Sequence, residues 1–126
     1  MKKILIVIAD YYVDISSSLL KSAKNNLNDF SLKIIRVPGV FEIPTTISKN
    51  IKKYDAFIAL GCVIKGETPH FDFISSASTQ AIMNLSVSSK KPVGNGIITC
   101  LNMKQAKARG GKGKEAAKAV ISVLSQ

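Results

Sequence analysis

The sequence predicts an α/β fold in which helices cover both faces of a four-stranded parallel sheet, a three-layer α/β/α sandwich. Two observations favour this class. Short apolar runs alternate with segments of helical periodicity, and the intervening helices are long enough to cross over the sheet. The first apolar run, residues 4–9, is apolar at nearly every position, as in a strand buried on both faces. A chain of 126 residues is large enough for a real core, so residues 1–126 are expected to form a single domain.

Four strands are expected in this chain. Each is a short apolar run, and the second is followed at once by Pro38 and Gly39, which end it. The fourth contains Gly94 and Gly96 near its start. The predicted strands are residues 4–9, 32–37, 55–60 and 93–100.

Five helices are expected between and after these strands. Residues 14–27 carry apolar side chains at helical spacing, and Pro44 fits the first turn of a short helix over 43–51. Thr68 is expected to cap a helix whose first residue is Pro69, and Asn102 is expected to cap another. The three later helices are predicted at 69–86, after Asn102 to about 108, and 114–124.

Composition indicates a globular protein, with 46% apolar and 21% charged residues. No apolar run approaches the roughly 20 residues that span a bilayer, and residues 4–9 are too short for a secretory signal, so no membrane contact is expected. Cys62 and Cys100 belong to no Cys-x-x-Cys pair and lie in apolar strands. They are therefore interpreted as reduced packing residues rather than metal or disulfide cysteines, and the chain is expected to be cytoplasmic.

The net charge of +10 favours anionic partners, either nucleic acid or phosphorylated metabolites. Half of the excess lies in the last 25 residues, where six basic side chains face only Glu115. Most of these lysines fit a solvated helix face equally well. The segment has no aromatic residue for base stacking and no Walker A loop, so nucleic acid is not the expected partner.

The unusual residues follow the carboxyl ends of three strands, where parallel sheets bind their ligands. Tyr11 and Tyr12 follow the first strand, residues 38–42 follow the second, and residues 61–70 follow the third. Each has an ordinary structural explanation by itself. Together they predict one pocket with aromatic faces for a planar ring, a carboxylate, and a site for an anion.

The third of these segments carries the strongest signals. Gly66 would let a ligand approach the backbone closely, and the start of the helix after Thr68 offers free N–H groups to a phosphate. His70, the only histidine, lies in the first turn of that helix. A lone histidine is usually structural, but beside an anion site it is placed to move protons on a phosphorylated substrate.

Two motifs at these strand ends resemble those of the 6,7-dimethyl-8-ribityllumazine synthase family. They are Val-Pro-Gly-Val-Phe-Glu-Ile-Pro over 37–44 and Gly-Cys-Val-Ile-Lys-Gly-Glu-Thr-Pro-His-Phe-Asp over 61–72. Asn-Gly-Ile-Ile-Thr over 95–99, with Arg109, extends the match towards the last helix. The resemblance implies a flavodoxin-like fold and the condensation of 5-amino-6-(D-ribitylamino)uracil with L-3,4-dihydroxy-2-butanone 4-phosphate. It also implies that phosphate and water are released and that no metal or organic cofactor is used.

The resemblance implies a role for each matching residue. Tyr11, where the family usually has Phe or Trp, matches the aromatic residue that stacks on the pyrimidine. His70 matches the proton-transfer residue. Val40, Phe41 and Glu42 match the ribityl-binding turn. Cys62, Val63 and Ile64 match backbone contacts to the pyrimidine ring. Glu67 and Thr68 match the loop that holds the phosphate.

Three further residues match positions near the substrates, and two of them serve an adjacent subunit in the family. Asn95, where many members have an aromatic residue, matches a pyrimidine-side contact, and Arg109 matches the phosphate-binding arginine. Lys112 matches a second basic residue near the phosphate. The resemblance therefore implies a homo-pentamer, and it leaves open an icosahedral 60-mer of twelve pentamers. A flavodoxin-like module that binds a lumazine or flavin without turnover is the alternative.

Overall fold

Four apolar segments form one parallel sheet in the computed structural model, which describes all 126 residues. The strands lie side by side in the order β2, β1, β3, β4, so β1 and β3 are central. This confirms the predicted four-stranded parallel sheet and its flavodoxin-like class. The strands are β1 (Lys3–Ala9), β2 (Ser31–Val37), β3 (Ala56–Ile64) and β4 (Val93–Cys100).

Five helices and one 3₁₀ turn connect and cover the strands. Helices α1 and α5 pack on one face of the sheet, and α2 and α3 pack on the other, which gives the three layers. None of the helices combines the length and the apolar character needed to cross a lipid bilayer. The elements are α1 (Val13–Lys24), the 3₁₀ turn (Val40–Glu42), α2 (Ile43–Lys49), α3 (His70–Ser89), α4 (Met103–Ala108) and α5 (Lys112–Leu124).

The two cores follow from alternation along the central strands. Successive side chains of a strand point to opposite faces of the sheet. Residues 4–9 of β1 are all buried, so this strand contributes side chains to both cores. Ile4, Ile6 and Ile8 join the core beneath α1 and α5. Leu5, Val7 and Ala9 join the core beneath α2 and α3.

Strand β3 is longer than the predicted 55–60. It continues through Ile64 because Gly61, Cys62, Val63 and Ile64 pair with residues 97–100 of β4. Strand β1 pairs with β3 only as far as Leu60. Beyond Leu60, the edge of β3 that faces β1 therefore has no strand partner, and its backbone groups are free to bind something else.

Helix α3 begins at His70, one residue later than predicted. Pro69 precedes the helix, and its carbonyl accepts the N–H groups of Asp72 and Phe73. Thr68 is therefore not the capping residue, although its hydroxyl accepts the His70 N–H at 3.4 Å. The predicted cap at Asn102 is confirmed, because its side-chain oxygen accepts the Gln105 N–H at 2.9 Å.

The other helix boundaries differ from the predicted ones by up to three residues, as is common at frayed or tightened ends. Helix α1 ends at Lys24 rather than 27, because the N–H of Leu27 bonds the carbonyl of Lys24 in a tight turn. Leu27 is nevertheless buried in the core. Helices α2 and α3 end at Lys49 and Ser89, and α5 begins at Lys112.

Candidate functional site

The carboxyl ends of β1, β2 and β3 surround one cavity of about 570 Å³. Its position at the carboxyl edge of a parallel sheet is the usual ligand site in this class of fold. Phe41, Glu42 and His70 all line it, although they come from separate segments. The lining residues are Tyr11, Tyr12, Gly39, Val40, Phe41, Glu42, Cys62, Val63, Ile64, His70 and Ile74.

The end of β1 contributes two tyrosines to this cavity. Tyr11 is 75% exposed, so one face of its ring is open to a ligand. The Tyr12 ring is half-buried and meets the Tyr11 ring edge to face, with centroids 4.9 Å apart and planes at 73°. This geometry orients Tyr11 as a stacking surface.

The 3₁₀ turn after β2 forms the second wall. Val40 is buried and anchors the turn in the core, whereas Phe41 is 64% exposed. A side chain at Gly39 would begin 3.3 Å from the Glu42 carboxylate, so that carboxylate lies close over the glycine. The turn therefore presents an aromatic ring and a carboxylate from one rigid base.

The unpaired edge of β3 forms the floor of the cavity, where Cys62, Val63 and Ile64 lie. Burial raises the pKa of the Cys62 thiol to about 12, and the neighbouring Cys100 adds to the shift by charge and by a side-chain hydrogen bond. Cys62 is therefore a neutral thiol and no nucleophile at ordinary pH. Both cysteines are free and buried, which confirms their interpretation as packing residues.

The start of α3 closes one end of the cavity. His70 lines it and is exposed to solvent. Glu67 and Thr68 lie on the exposed loop just before the helix and do not line the cavity. No atom lies within 4 Å of where a Gly66 side chain would begin, so the backbone at Gly66 is open to approach.

Asn95, Arg109 and Lys112 do not reach this cavity. They line a second concavity of about 600 Å³ beside β4, the edge strand of the sheet. The Arg109 guanidinium donates a hydrogen bond to the Thr99 carbonyl at 3.3 Å, and Lys112 lies 4.0 Å from the Glu115 carboxylate. The predicted site residues of one chain are thus divided between two separate surfaces.

A third groove, of about 630 Å³, lies between α2 and α3 and has no ionisable side chain in its lining. Its polar side chains are the hydroxyls of Thr45, Ser48 and Ser88 and the amide of Asn84, with no acid or base to activate them, so the groove is not a candidate for chemistry. Tyr12 and Gly39 also line the first cavity, as their positions after the strand ends predicted, although neither had been given a specific contact with the substrates. Ile74 lines the cavity too and was not predicted, because its place follows only from the placement of α3.

The fold and the cavity are typical of α/β proteins that bind small molecules at the carboxyl edge of a parallel sheet. The family model for 6,7-dimethyl-8-ribityllumazine synthase matches residues 1–126. The chain is 42% identical to the 6,7-dimethyl-8-ribityllumazine synthase of Methylorubrum populi, over 98% of this chain and 81% of that protein.

Two further relatives carry the same name. The synthase of Rhodopseudomonas palustris is 43% identical, over 95% of this chain and 82% of that protein. The synthase of Agrobacterium fabrum is 42% identical, over 96% of this chain and 91% of that protein. The chain therefore belongs to the 6,7-dimethyl-8-ribityllumazine synthase family and is a transferase of riboflavin biosynthesis.

Proposed function

We propose that the cavity at the carboxyl edge of the sheet is where this chain makes 6,7-dimethyl-8-ribityllumazine. The substrates are 5-amino-6-(D-ribitylamino)uracil and L-3,4-dihydroxy-2-butanone 4-phosphate, and the reaction releases phosphate and water. The observation that carries the site assignment is the convergence of Phe41, Glu42 and His70 on one cavity.

The pyrimidine lies between Tyr11 and the unpaired edge of β3. The exposed ring of Tyr11 stacks on a planar heterocycle, and the free backbone groups of Cys62 to Ile64 bond its polar edge. Val40 and Phe41 contact the ribityl chain, and the Glu42 carboxylate accepts hydrogen bonds from its hydroxyls. The pyrimidine ring therefore lies on the floor of the cavity, and its ribityl substituent lies along the wall formed by the 3₁₀ turn.

The phosphate requires a cation that the cavity does not contain. No lysine or arginine lines it, and the nearest features that favour an anion are the start of α3 and the open loop at Gly66, Glu67 and Thr68. Arg109 and Lys112 lie on the second concavity, beside the edge strand. We therefore place the phosphate between the loop of one subunit and Arg109 of a neighbour, with Lys112 beside it and the neighbour's Asn95 on the side of the pyrimidine.

A homo-pentamer satisfies this requirement, and the surface of α3 supports it. Only Ser78 and Ile82 of its 20 residues are buried in the single chain. The helix contains no lysine or arginine in a chain of net charge +10, and it exposes Phe73, Met83 and Val87. Such a face is typical of a subunit interface. The mass of the intact particle distinguishes a pentamer from an icosahedral 60-mer.

The same proposal treats residues 1–126 as one domain acting in the cytoplasm. Both cysteines are free, as in proteins of a reducing compartment. One continuous sheet with a core on each face supports a single folding unit.

Positioning supplies most of the acceleration in this scheme, because both substrates are intrinsically reactive. The uracil amine attacks the ketone to give a carbinolamine and then an imine. A proton must leave carbon before phosphate is eliminated, and His70 at the end of the cavity takes that proton. Arg109 of the neighbour and the loop amides stabilise the charge on the departing phosphate.

Mixing the purified protein with both substrates tests the function directly. Lumazine absorbance and fluorescence should appear and should depend on both substrates. Binding of the lumazine without its formation would contradict turnover and would leave only the flavodoxin-like binding module.

Arg109→Ala tests the phosphate site. The apparent KM for the butanone phosphate should rise, because the variant lacks the cation that the cavity itself does not provide. Lys118→Ala is the matched control, since Lys118 is an exposed basic residue on α5 outside both concavities. An unchanged KM for the butanone phosphate in Arg109→Ala would reject this role.

A further inference from the structure

Tyr12 lines the cavity without a role in the scheme above. It immediately precedes α1, its side chain is half-buried, and its ring packs against the core beneath α1 and α5. Its backbone carbonyl is occupied, because it accepts the N–H of Ser16 at 2.9 Å and the hydroxyl of Ser16 at 3.0 Å. The Tyr12 ring is therefore held firmly at the wall of the cavity.

The phenol hydroxyl of Tyr12 has no hydrogen-bond partner in the protein. Burial, followed by the nearby Tyr11 and Cys62, raises the pKa of this phenol, so it stays protonated. Tyr12 itself lines the cavity, together with Tyr11 and Cys62. The Cys62 thiol is already hydrogen-bonded to the thiol of Cys100, and sulfur is a weak hydrogen-bond acceptor in any case. A partly buried donor is thus left to a ligand or to water.

The surroundings of Tyr12 define the group it would meet. The ionisable side chains of the cavity are the two tyrosines, Glu42, Cys62 and His70, and none of them is a lysine or arginine. Tyr12 and Cys62 line the same cavity, and at Cys62 the edge of β3 that faces β1 has no strand partner. An uncharged, planar, acceptor-bearing ring fits this position better than a phosphate does.

We propose that the Tyr12 hydroxyl is a specificity-determining hydrogen-bond donor that binds a carbonyl oxygen or an unprotonated ring nitrogen of the pyrimidine. The proposal rests on the function proposed above, and it adds a contact that the matching motifs do not contain. A site that hydrogen-bonds a polar group discriminates strongly against analogues that lack it. Tyr12 therefore selects a heterocycle that carries an oxygen or nitrogen acceptor, whereas stacking on Tyr11 does not depend on the polar groups of the ring.

Tyr12→Phe tests the proposal, because it keeps the ring and removes only the hydroxyl. The dissociation constant of 6,7-dimethyl-8-ribityllumazine, measured by fluorescence titration, should rise by about three- to tenfold, the range for one neutral hydrogen bond. The KM for the ribitylaminouracil should rise with it, while the KM for the butanone phosphate should not change. Tyr54→Phe is the matched control, since Tyr54 packs against Phe57 outside the cavity.

Unchanged lumazine affinity in folded Tyr12→Phe would overturn the proposal, whether or not the wild-type chain turns over its substrates. Failure of wild-type turnover would instead overturn the proposed function, and the titration would still decide the role of Tyr12. If Tyr12→Phe does not fold, the wild-type chain is labelled with 3-fluorotyrosine instead. The chain has three tyrosines, so three ¹⁹F resonances are expected. The ¹⁹F resonance of Tyr12, identified with Tyr11→Phe and Tyr54→Phe, should shift when lumazine is added. A resonance that does not shift would equally overturn the proposal.

Discussion

Gly61→Ala is expected to damage both the stability of the fold and the binding of the uracil. Gly61 lies in β3 under the 3₁₀ turn. An added methyl group would lie 2.8 Å from Val40 Cγ2, 3.2 Å from Ala9 Cβ and 3.6 Å from Ile43 Cδ1. Carbon atoms prefer a separation of about 3.5–4.0 Å, so Val40 must move by about 1 Å. Overpacking of this kind costs about 1–3 kcal/mol.

The movement of Val40 should reach the site, because the same short turn carries Phe41 and Glu42. We expect the KM for the ribitylaminouracil to rise and the KM for the butanone phosphate to change less. Urea denaturation at fixed protein concentration measures the stability loss, and steady-state kinetics measure the two KM values.

Gly66→Ala is the control for the stability measurement. No atom lies within 4 Å of its added methyl group, and no glycine in the chain has a positive φ. Its free energy of unfolding should therefore stay within about 0.5 kcal/mol of wild type. Unfolding of Gly61→Ala at the wild-type urea concentration, with both KM values unchanged, would refute the expected clash with Val40.

Three other changes test separate features. His70→Ala should lower kcat by about 10- to 100-fold and leave measurable turnover, because positioning supplies the larger share; complete loss of activity in a folded variant contradicts this division. Lys90 follows α3 with φ 60° and is the one non-glycine residue with a positive φ. Because glycine adopts this conformation without steric cost, Lys90→Gly should raise the free energy of unfolding by about 0.5–1 kcal/mol in thermal or urea denaturation. A loss of stability would refute this expectation. Alkylation of Cys62 in the folded protein should still accelerate above pH 10, because burial raises the pKa of its thiol to about 12; a rate that levels off near pH 9 argues against that shift.

The architecture was predictable because its signals are local. Alternating apolar runs and helical periodicity gave four parallel strands, and the side-chain chemistry of Asn102 gave a helix cap. The length of β3 was missed because the third strand was predicted to end at residue 60, just before Gly61. Only the pairing of Gly61 with Ile97 in β4 keeps the chain extended there, and pairing between distant segments is not visible in a local pattern.

The residues at the strand ends of the candidate site were predictable, whereas the packing of individual side chains and the distance to Arg109 were not. The rule on carboxyl strand ends placed Tyr11, Phe41 and Glu42 at one edge. The unpartnered hydroxyl of Tyr12 depends on how its ring packs against the core, which no sequence pattern reports. The distance of Arg109 from that cavity likewise follows from the sheet order, which places β4 at the edge.

Particles assembled from two different variants test whether each site joins the cavity of one chain to Arg109 of another. Two variants are compared, Arg109→Ala and the double variant Phe41→Ala with Glu42→Ala, each nearly inactive at low butanone phosphate. When they are co-expressed in equal amounts, random assembly restores both halves in about a quarter of the sites, because each half is intact with even chance. The mixed particles should therefore regain about a quarter of wild-type activity. Activity no higher than the mean of the two variants assembled separately would contradict the shared site.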